Sequence, residues 1–580
     1  MGVVTKLPAP MAGRPWTAHY DPGVPATIEY PDAPLHAFLE DAAREYTNAT
    51  ATIFFGAKRT YRELQRDVAF LSGSLRRLGV QKGDRVALML PNCPQFVIAF
   101  YAALRLGAIV VPCNPRYTPR EIQYQLADSG AETIVVLSRF YPIVKAARPG
   151  TRLRNVVVTY IKEEMPPLLR LGFTLAKERK DGHRVLWKGD AGTRAFRDLL
   201  VYDGEPVATA VSPDDVAILQ YTGGTTGTPK GAMLSHRALV ANTLQCRSWF
   251  TNLRDGQDAI MAVMPLFHVY GLTVAMNLAI QSAAALILEP QLDLDHVLAD
   301  IQKFRPKVFP GAPIIYNAIN NSPLSAKFDL RSIEACISGS APLLAETARR
   351  FGELTGAHLV EGYGLTEAAP VTHCNPLFGE GRQKVGSIGV PFPDVESRLV
   401  DIETGESAPP PGERGELVLR GPQLMDGYYE RPDETAKTIR GGWLFTGDIA
   451  TVDDEGYVFI VDRKKELIIV SGFNVYPSEV EEVLAGHPAV LESAAIGVAH
   501  PVKGEVVKAF VVLRPGASAS VEDIIAFCRG ELAPFKVPAE IEVRDSLPKT
   551  SIGKVLRRQL AEEERAKRIS LLADPRATPR

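Results

Sequence analysis

The sequence has few features of a secreted, metal-stapled or nucleic-acid-binding protein. Its six cysteines are scattered, with no pair in a C-x-x-C spacing, which argues against a disulfide framework or a zinc site. Buried free thiols in a reducing compartment are the better interpretation. The formal net charge is only -2 and the charges are well mixed, so there is no broad positive field for nucleic acid. We expect no nucleic-acid partner.

Long hydrophobic runs are also missing. The longest apolar stretch, 96–113, is interrupted by Arg105, Gly107 and Pro112, which favours a buried helix followed by a buried strand over a membrane span. The first ten residues have no apolar core of the kind found in signal peptides. We therefore expect a cytoplasmic protein that is, at most, peripheral on the inner face of a membrane.

Helical and strand patterns alternate in the first part of the chain, which at 580 residues is too long for one core. Thr60 with Glu63, and Thr118 with Glu121, form capping-box patterns at the start of two predicted helices. Buried strands are predicted between and after these helices, at 86–90, 108–111 and 132–137. Such alternation predicts a doubly wound parallel sheet. After residue 462 the pattern changes to a compact mixture typical of a small α+β domain.

Residues 148–196 interrupt this alternation with a charged insertion. Within it, one predicted helical face carries apolar side chains, with Arg170 and Lys177 opposite. The apolar positions are Leu168, Leu169, Leu171, Leu175 and Ala176. An amphipathic helix of this kind predicts either weak, reversible membrane contact through 165–180 or packing of the insertion on its own domain. The sequence leaves both open.

A Gly/Thr-rich loop follows the strand predicted at 216–221. The glycines let the backbone turn sharply and bring its N–H groups close to a ligand, while the threonine hydroxyls and Lys230 add donors and a positive charge. The spacing is not that of a Walker loop. We predict that this loop holds the phosphates of a polyphosphate. The residues concerned are Thr222, Gly223, Gly224, Thr225, Thr226, Gly227 and Lys230.

Six further segments place polar or aromatic side chains at the ends of apolar strands. They are M-P-L-F-H-V-Y-G (264–271), S-G-S-A-P-L (338–343), E-G-Y-G-L-T-E (361–367), W-L-F-T-G-D (443–448), the charged run that begins D-R-K-K-E-L (462–477) and P-K-T-S-I-G-K-V-L-R (548–557). Singly, each has an ordinary structural explanation, such as a core histidine for His268 or a surface lysine for Lys554. In this order, with the Gly/Thr loop, they resemble the motifs of the adenylate-forming superfamily over about 35–565.

This superfamily comprises acyl-CoA synthetases, firefly luciferases and peptide-synthetase adenylation domains. Within it the chain is most similar to bacterial long-chain fatty-acid–CoA ligases, because of the R-P-W-x-A-H-Y start (14–20), the Gly/Thr loop and the charged insertion. The resemblance implies an α/β fold with a large N-terminal domain of doubly wound, mixed and parallel sheets (1–461). A small mobile α+β C-terminal domain (462–565) and a loose tail (566–580) would follow.

The resemblance also implies roles for individual residues. The Gly/Thr loop would bind the ATP phosphates, and Glu367, with Thr222, would hold Mg²⁺. Gly339 and Tyr363 would border the adenine. Asp448 and Arg463 would bind the ribose, and Lys554 would bridge the acyl carboxylate and the α-phosphate. The implied catalytic set is Lys554, His268, Thr225 and Glu367.

Coenzyme A would enter in a second step, after the C-terminal domain turns about a hinge at Asp462 and brings Gly472 to the thiol passage. The implied reaction joins a fatty acid of medium or long chain to coenzyme A through an acyl-adenylate. An aryl-acid ligase, or fatty acyl-AMP formation without coenzyme A, is the alternative. Segment 264–271 lacks the carboxylate that amino-acid activators need, and no G-x-S-x-G elbow supports a serine hydrolase. The resemblance leaves open whether the chain forms a homodimer.

Overall fold

The computed structural model describes residues 14–201, 209–222, 229–379, 382–410, 412–470, 473–500, 503–550 and 553–573. The strands of the first half are β1 (Thr50–Phe54), β2 (Ala57–Thr60), β3 (Arg85–Met89), β4 (Ile109–Pro112), β5 (Thr133–Leu137), β6 (Asn155–Thr159), β7 (Thr193–Ala195), β8 (Val216–Thr222), β9 (Lys230–Ser235), β10 (Ala259–Ala262) and β11 (Ala285–Leu288). Those of the second half are β12 (Ala335–Ser338), β13 (His358–Gly364), β14 (Val371–Cys374), β15 (Val390–Pro391), β16 (Glu396–Val400), β17 (Gly415–Arg420), β18 (Gly427–Tyr428), β19 (Ile439–Arg440), β20 (Trp443–Val452), β21 (Val458–Arg463), β22 (Ile468–Val470), β23 (Phe473–Val475), β24 (Val490–His500), β25 (Gly504–Leu513) and β26 (Glu540–Val543).

Helices alternate with these strands. They are α1 (Ala37–Glu45), α2 (Tyr61–Arg77), α3 (Pro94–Arg105), α4 (Pro119–Ser129), α5 (Tyr141–Ala147), α6 (Pro167–Ala176), α7 (Phe196–Leu199), α8 (His236–Trp249), α9 (Leu278–Gln281), α10 (Leu294–Phe304), α11 (Pro313–Asn321), α12 (Ala345–Thr355), α13 (Pro432–Thr438), α14 (Pro477–Gly486), α15 (Val521–Glu531) and α16 (Arg557–Ala573). A π-helical turn, Gly271–Asn277, precedes α9.

The largest sheet contains eight strands in the order β18-β9-β8-β4-β3-β5-β6-β7. Its strands from β8 to β7 are parallel, whereas β9 and β18 are antiparallel additions at one edge. Both predicted capping boxes are present, at Thr60 before α2 and Thr118 before α4. The predicted doubly wound arrangement is confirmed, and the antiparallel edge brings the two ends of the Gly/Thr loop together.

Two four-stranded sheets, β10-β11-β1-β2 and β12-β13-β14-β15, complete the α/β part of the molecule. Val308 joins them through parallel bridges to Ile260 and Ala335. A further sheet, β16-β17-β20-β19, has β21 paired with β20. Since β12 and β13 are parallel neighbours, the segments that follow them emerge at the same edge, where ligands bind in open α/β sheets.

The last sheet, β23-β22-β25-β24 with β26 beside β25, belongs to the small α+β unit predicted for the C-terminal part. Its core includes Val480 and Leu484 of α14 and Ile524 and Cys528 of α15. Alternate residues of a strand point to opposite faces, and this sheet also packs α16 through Leu560 on its other face.

All six cysteines are buried and unpaired, as their scattered positions predict. The apolar stretch at 96–113 folds as the buried helix α3 followed by β4, so its hydrophobicity serves the core. Among the helices that the structure describes, each is too short or too polar to span a bilayer.

Candidate active site

The two ends of the Gly/Thr loop lie side by side because β8 and β9 pair antiparallel. Thr222, the last residue of β8, is directly opposite Lys230, the first residue of β9. Five of the predicted phosphate-binding residues, Gly223, Gly224, Thr225, Thr226 and Gly227, lie outside the described residues.

Lys230 is held by a segment that the sequence motifs did not include. Its ammonium group forms an ion pair with Glu434 of α13 and lies 5.1 Å from the centroid of the Tyr428 ring. Tyr428 belongs to β18, which pairs with β9 two residues beyond Lys230. The predicted phosphate cation therefore rests between a carboxylate and an aromatic face, and its side chain stays partly exposed.

Tyr428 also reaches the predicted metal ligand. Its hydroxyl donates to Glu367 Oε1 at 2.7 Å, and the Met425 N–H donates to the Glu367 carbonyl at 2.8 Å. Glu367 stands in a short 3₁₀ turn, Thr366–Ala368, after β13. The strand pairing of β18 thus brings Lys230 and Glu367 to the same edge of the large sheet.

The donor set at this edge suits Mg²⁺. Tyr428 engages one Glu367 oxygen, and a single carboxylate with a Thr222 hydroxyl is the kind of partial coordination that Mg²⁺ accepts when phosphates and water complete its shell. Within the described ranges no group of three or more His, Cys, Asp or Glu side chains forms a closed metal site. A site completed by the nucleotide fits these residues better than a metal cage made by protein alone.

Asp448 and Arg463, predicted at the ribose, and Tyr363, predicted at the adenine, form one hydrogen-bonded cluster. Asp448 and Arg463 are cross-strand partners on β20 and β21, with Arg463 Nε 2.9 Å from Asp448 Oδ1. The Tyr363 hydroxyl donates to Asp448 Oδ2 at 2.5 Å. Asp448 is only 3% exposed, so its carboxylate is positioned by two charged or polar neighbours in a sheltered site.

Gly339 directly follows β12, whose last residue, Ser338, pairs with Glu361 of β13. A Cβ atom at this position would lie 3.4 Å from the Tyr270 ring, whose hydroxyl donates to the Ile337 carbonyl at 2.7 Å. The turn that follows is anchored by Glu361, whose Oε2 accepts from the Leu343 N–H at 3.0 Å. Burial raises the pKa of Glu361 to about 7.

Lys554 comes from the C-terminal part of the sequence and is influenced electrostatically by this cluster. Its pKa is lowered to about 8, chiefly by burial and also by repulsion from Arg463, while attraction to Asp448 acts in the opposite direction. The preceding Gly553 has φ +85° and packs against Ile314 of α11, where a Cβ would lie 3.1 Å away. The predicted catalytic lysine is thus within electrostatic influence of the predicted ribose residues.

Asp462, the predicted hinge residue, binds the start of the C-terminal unit. Its Oδ2 accepts from both the N–H and the hydroxyl of Ser478, each at 2.8 Å, in the first turn of α14. A carboxylate at a helix N-terminus is electrostatically favourable. Gly472, the residue predicted for the thiol passage, lies outside the described residues.

His268 occupies an apolar environment. Its ring lies 5.0 Å from that of Phe267, whose carbonyl accepts from the Gln220 side chain at 3.1 Å. Burial lowers the pKa of His268 to about 4, so the imidazole is neutral at pH 7. The segment continues into the buried π-helical turn Gly271–Asn277, a form often found at functional sites.

A second network, also absent from the sequence motifs, supports the base of the Gly/Thr loop. Asp128 of α4 accepts from the Tyr221 hydroxyl and from Arg431, each at 2.7 Å. Tyr124, one turn earlier on α4, donates to the Pro229 carbonyl at 2.8 Å. Tyr221 directly precedes Thr222, the first threonine of the loop, and Pro229 directly precedes Lys230. The contacts of α4 therefore hold both ends of the loop.

Comparison with known proteins shows the family of the chain. Residues 39–429 match the AMP-binding enzyme family, and residues 479–554 match the AMP-binding enzyme C-terminal domain. The chain belongs to the AMP-binding enzyme family. A long-chain-fatty-acid–CoA ligase of Bacillus subtilis is 43% identical over 95% of this chain and 98% of its own length. A feruloyl-CoA synthase of Amycolatopsis is 38% identical, over 89% and 96% respectively.

A solved family structure resembles most of the chain. ATP-bound MatB from Rhodopseudomonas palustris has a TM-score of 0.80 and 32% identity, covering 92% of this chain and 99% of its own. The apo form of MatB gives a lower TM-score of 0.68. The present arrangement is therefore more similar to the ATP-bound form.

Proposed function

We propose that this AMP-forming acid–CoA ligase acts on fatty acids of medium or long chain. The reaction consumes ATP, forms an acyl-adenylate with release of pyrophosphate, and then transfers the acyl group to coenzyme A with release of AMP. The observation that supports the ligase reaction most strongly is the Asp448–Arg463 ion pair, whose charges act on Lys554. A cation there faces the junction between the nucleoside and the attacking carboxylate.

In the first step a carboxylate oxygen of the fatty acid attacks the α-phosphorus, and the bond to pyrophosphate breaks. Both reactants are anions, so positioned cations and backbone dipoles must offset their repulsion. Lys230 and the loop after Thr222 neutralise the leaving phosphates, while Lys554 neutralises the charge that develops at the α-phosphate. Mg²⁺, held by Glu367 and Thr222, supplies further charge neutralisation when bound.

The nucleoside is oriented by the residues around Asp448. The Asp448 carboxylate accepts from the ribose hydroxyls, and Arg463 and Tyr363 keep this carboxylate in place. Tyr363 and Gly339 border the adenine, where the missing side chain at Gly339 leaves room for a flat ring. His268, neutral at pH 7, and Phe267 lie at the acyl side. Thr225 and Glu367, the remainder of the catalytic set, act at the phosphates and at Mg²⁺.

In the second step the thiol of coenzyme A attacks the acyl carbonyl and AMP leaves. This step needs different surroundings, which a turn of the C-terminal domain about Asp462 provides. Lys554 then moves away and Gly472 lines the thiol passage, where the absence of a side chain suits a narrow channel. The proposed boundaries are 1–461 for the N-terminal domain, 462–565 for the mobile domain and 566–580 for the tail.

An aryl acid is the alternative substrate class, because one of the similar relatives is named a feruloyl-CoA synthase. The neutral, apolar segment 264–271 favours an aliphatic chain over an amino acid. We also propose a cytoplasmic location with weak, reversible contact between 165–180 and the inner face of the membrane. A homodimer stays a prediction.

Acyl-CoA and AMP should be measured with ATP, Mg²⁺ and coenzyme A over straight fatty acids of increasing length, ferulate, benzoate and amino acids. We expect thioester and AMP in equal amounts with fatty acids. Formation of acyl-adenylate without thioester would favour the ligase without coenzyme A chemistry. Preference for ferulate would favour the aryl-acid ligase.

A further inference from the structure

The leucines of α6 point to solvent. Leu168, Leu171 and Leu175 occupy one face at helical spacing and are 85%, 58% and 79% exposed. Leu186, in the segment that follows, is 96% exposed. We call these four side chains the leucine face. One of the two interpretations of the sequence was that the insertion packs its apolar face on its own domain. The exposure of these leucines contradicts that interpretation.

The orientation of α6 is set by its other side. Phe173 packs against the main core and lies 5.4 Å from the His183 ring. The Arg170 guanidinium donates to the Lys162 carbonyl at 3.0 Å and to the Glu163 carbonyl at 2.6 Å. Turning the leucines inward would break these contacts, so their exposure is built into the local fold.

A basic pocket lies beside the leucine face. It is a cavity of about 420 Å³ whose cationic side chains are Lys162, Arg170, Arg184, Lys188 and Arg197. Three carboxylates also line the pocket. Glu163 accepts from the Tyr160 N–H at 3.1 Å, Glu178 forms an ion pair with Lys162 at 2.7 Å, and Asp198 lies 3.4 Å from Arg197. Within the part of the chain that the structure describes, Arg184 and Lys188 form no ion pair. The pocket therefore has cationic groups available for an anion of modest size.

The basic pocket and the leucine face share one segment. Leu186 stands between Val185 and Trp187, which line the pocket, and the Trp187 indole is fixed by a hydrogen bond to the Tyr160 hydroxyl at 2.8 Å. Arg184 and Lys188 flank this short stretch. Apolar side chains at the rim of the basic pocket are therefore adjacent to the cationic side chains that line it.

We infer that the leucine face and the basic pocket together form a binding site for an anionic phospholipid in a bilayer surface. Apolar side chains on a helix with adjacent cations are the requirements for a helix that lies in the plane of a membrane interface. The phosphate of the headgroup binds in the basic pocket while the leucines enter the boundary of the acyl chains. This site rests on the proposed function, since a fatty-acid substrate dissolves in the same membrane.

The test is co-sedimentation with vesicles of phosphatidylcholine alone and of phosphatidylcholine mixed with phosphatidylglycerol. We expect the full-length protein to bind the anionic vesicles more tightly. Leu168→Glu/Leu175→Glu should abolish binding, whereas Leu292→Glu/Leu491→Glu, which changes exposed leucines elsewhere, should not. Arg184→Gln/Lys188→Gln should weaken binding to anionic vesicles by roughly fivefold for each charge removed. The matched control is Lys58→Gln/Lys327→Gln.

Inorganic phosphate distinguishes a lipid headgroup from the free ion. At constant ionic strength, we expect free phosphate to compete only for the basic pocket. It should therefore displace the protein from vesicles only partially, because the leucine face still contributes to membrane binding. Equal vesicle binding by the wild type and the Leu168→Glu/Leu175→Glu variant would overturn the proposal. So would a dimer in sedimentation equilibrium that these substitutions dissociate, with no vesicle binding by the wild type. Pyrophosphate release with octanoate, measured without vesicles, should stay unchanged in every variant. A loss there would count against the proposed function instead.

Discussion

Glu434 forms an ion pair with Lys230 although the two residues are 204 positions apart in the sequence. The same lysine is the cation proposed for the ATP phosphates. Glu434 thus competes with the nucleotide for this cation, and ATP must displace it. The competition is modest because both side chains are partly exposed, where ion pairs are worth little.

Replacing Glu434 by Gln should therefore tighten ATP binding. We expect the KM for ATP to fall by up to about fivefold, the equivalent of a surface ion pair of about 1 kcal/mol. Glu346→Gln, in an exposed pair with Arg349 on α12, is the matched control and should leave KM unchanged. A rise in KM for ATP with Glu434→Gln would mean that Glu434 helps to hold the nucleotide.

Asp128 should be a positioning residue for the phosphate loop. Asp128→Asn weakens the charge-assisted contacts to Arg431 and Tyr221, and such bonds are worth about 1.5–3 kcal/mol when intact. We expect a rise of roughly tenfold in KM for ATP and an unchanged rate of thioester formation from pre-made acyl-adenylate. Asp295→Asn on α10 serves as a control. Equal loss in both half-reactions, with an unchanged melting temperature, would contradict a role confined to the phosphates.

The pH dependence should reveal Lys554. Its ammonium form is required for adenylate formation, and its pKa is lowered to about 8, so the charge is present below pH 8 and is lost as the pH rises through that value. The kcat/KM for ATP, which reports on the free enzyme, should decline with an apparent pKa near 8. In the complex the ATP phosphates raise the pKa of Lys554, and kcat should decline at higher pH.

Lys554→Arg provides the check, because guanidinium stays charged throughout this range. Whatever activity the variant retains should show no decline near pH 8. A decline at the same pH in Lys554→Arg would assign the titration to another group.

Substrate preference should climb with chain length. Each buried CH₂ contributes roughly 0.8 kcal/mol, so kcat/KM should rise by up to roughly fourfold per methylene until the pocket is full. Steady-state kinetics over straight acids measures this. A higher kcat/KM with benzoate, cinnamate or an amino acid than with every fatty acid would refute the assignment.

Local patterns predicted much of the fold. The capping boxes at Thr60 and Thr118, the parallel strands β3 to β5 and the buried cysteines follow from residue chemistry and spacing alone. The motif order also identified residues that the structure brings together, such as Asp448 and Arg463. These features are local or repeat at a fixed period, which is what a single sequence reveals.

The contacts of Tyr428, Glu434 and Asp128 could not be predicted in this way. Each joins segments distant in the sequence, and each depends on the register of β18 against β9 or on the packing of α4. The sequence held one indication of β18 and α13. The G-Y-Y stretch before Pro432 is a short strand pattern followed by a residue that often starts a helix. The exposure of the α6 leucines was likewise undecided by periodicity, since an apolar face has the same spacing whether it meets a core or solvent.

The central claim is that Lys554 and Gly472 serve different half-reactions at one site. Lys554→Ala removes the cation at the developing charge and should slow adenylate formation by roughly 10²–10³. Gly472→Leu should leave that step intact and block entry of the thiol. Each variant is a control for the other, because each should retain the half-reaction that the other loses.

The most direct measurement is single-turnover kinetics of each step for both variants, with pre-made acyl-adenylate and coenzyme A supplied for the second step. The account predicts that Lys554→Ala makes thioester from the adenylate at nearly the wild-type rate, while Gly472→Leu makes adenylate but little thioester. Equal loss of both steps in both folded variants would contradict it.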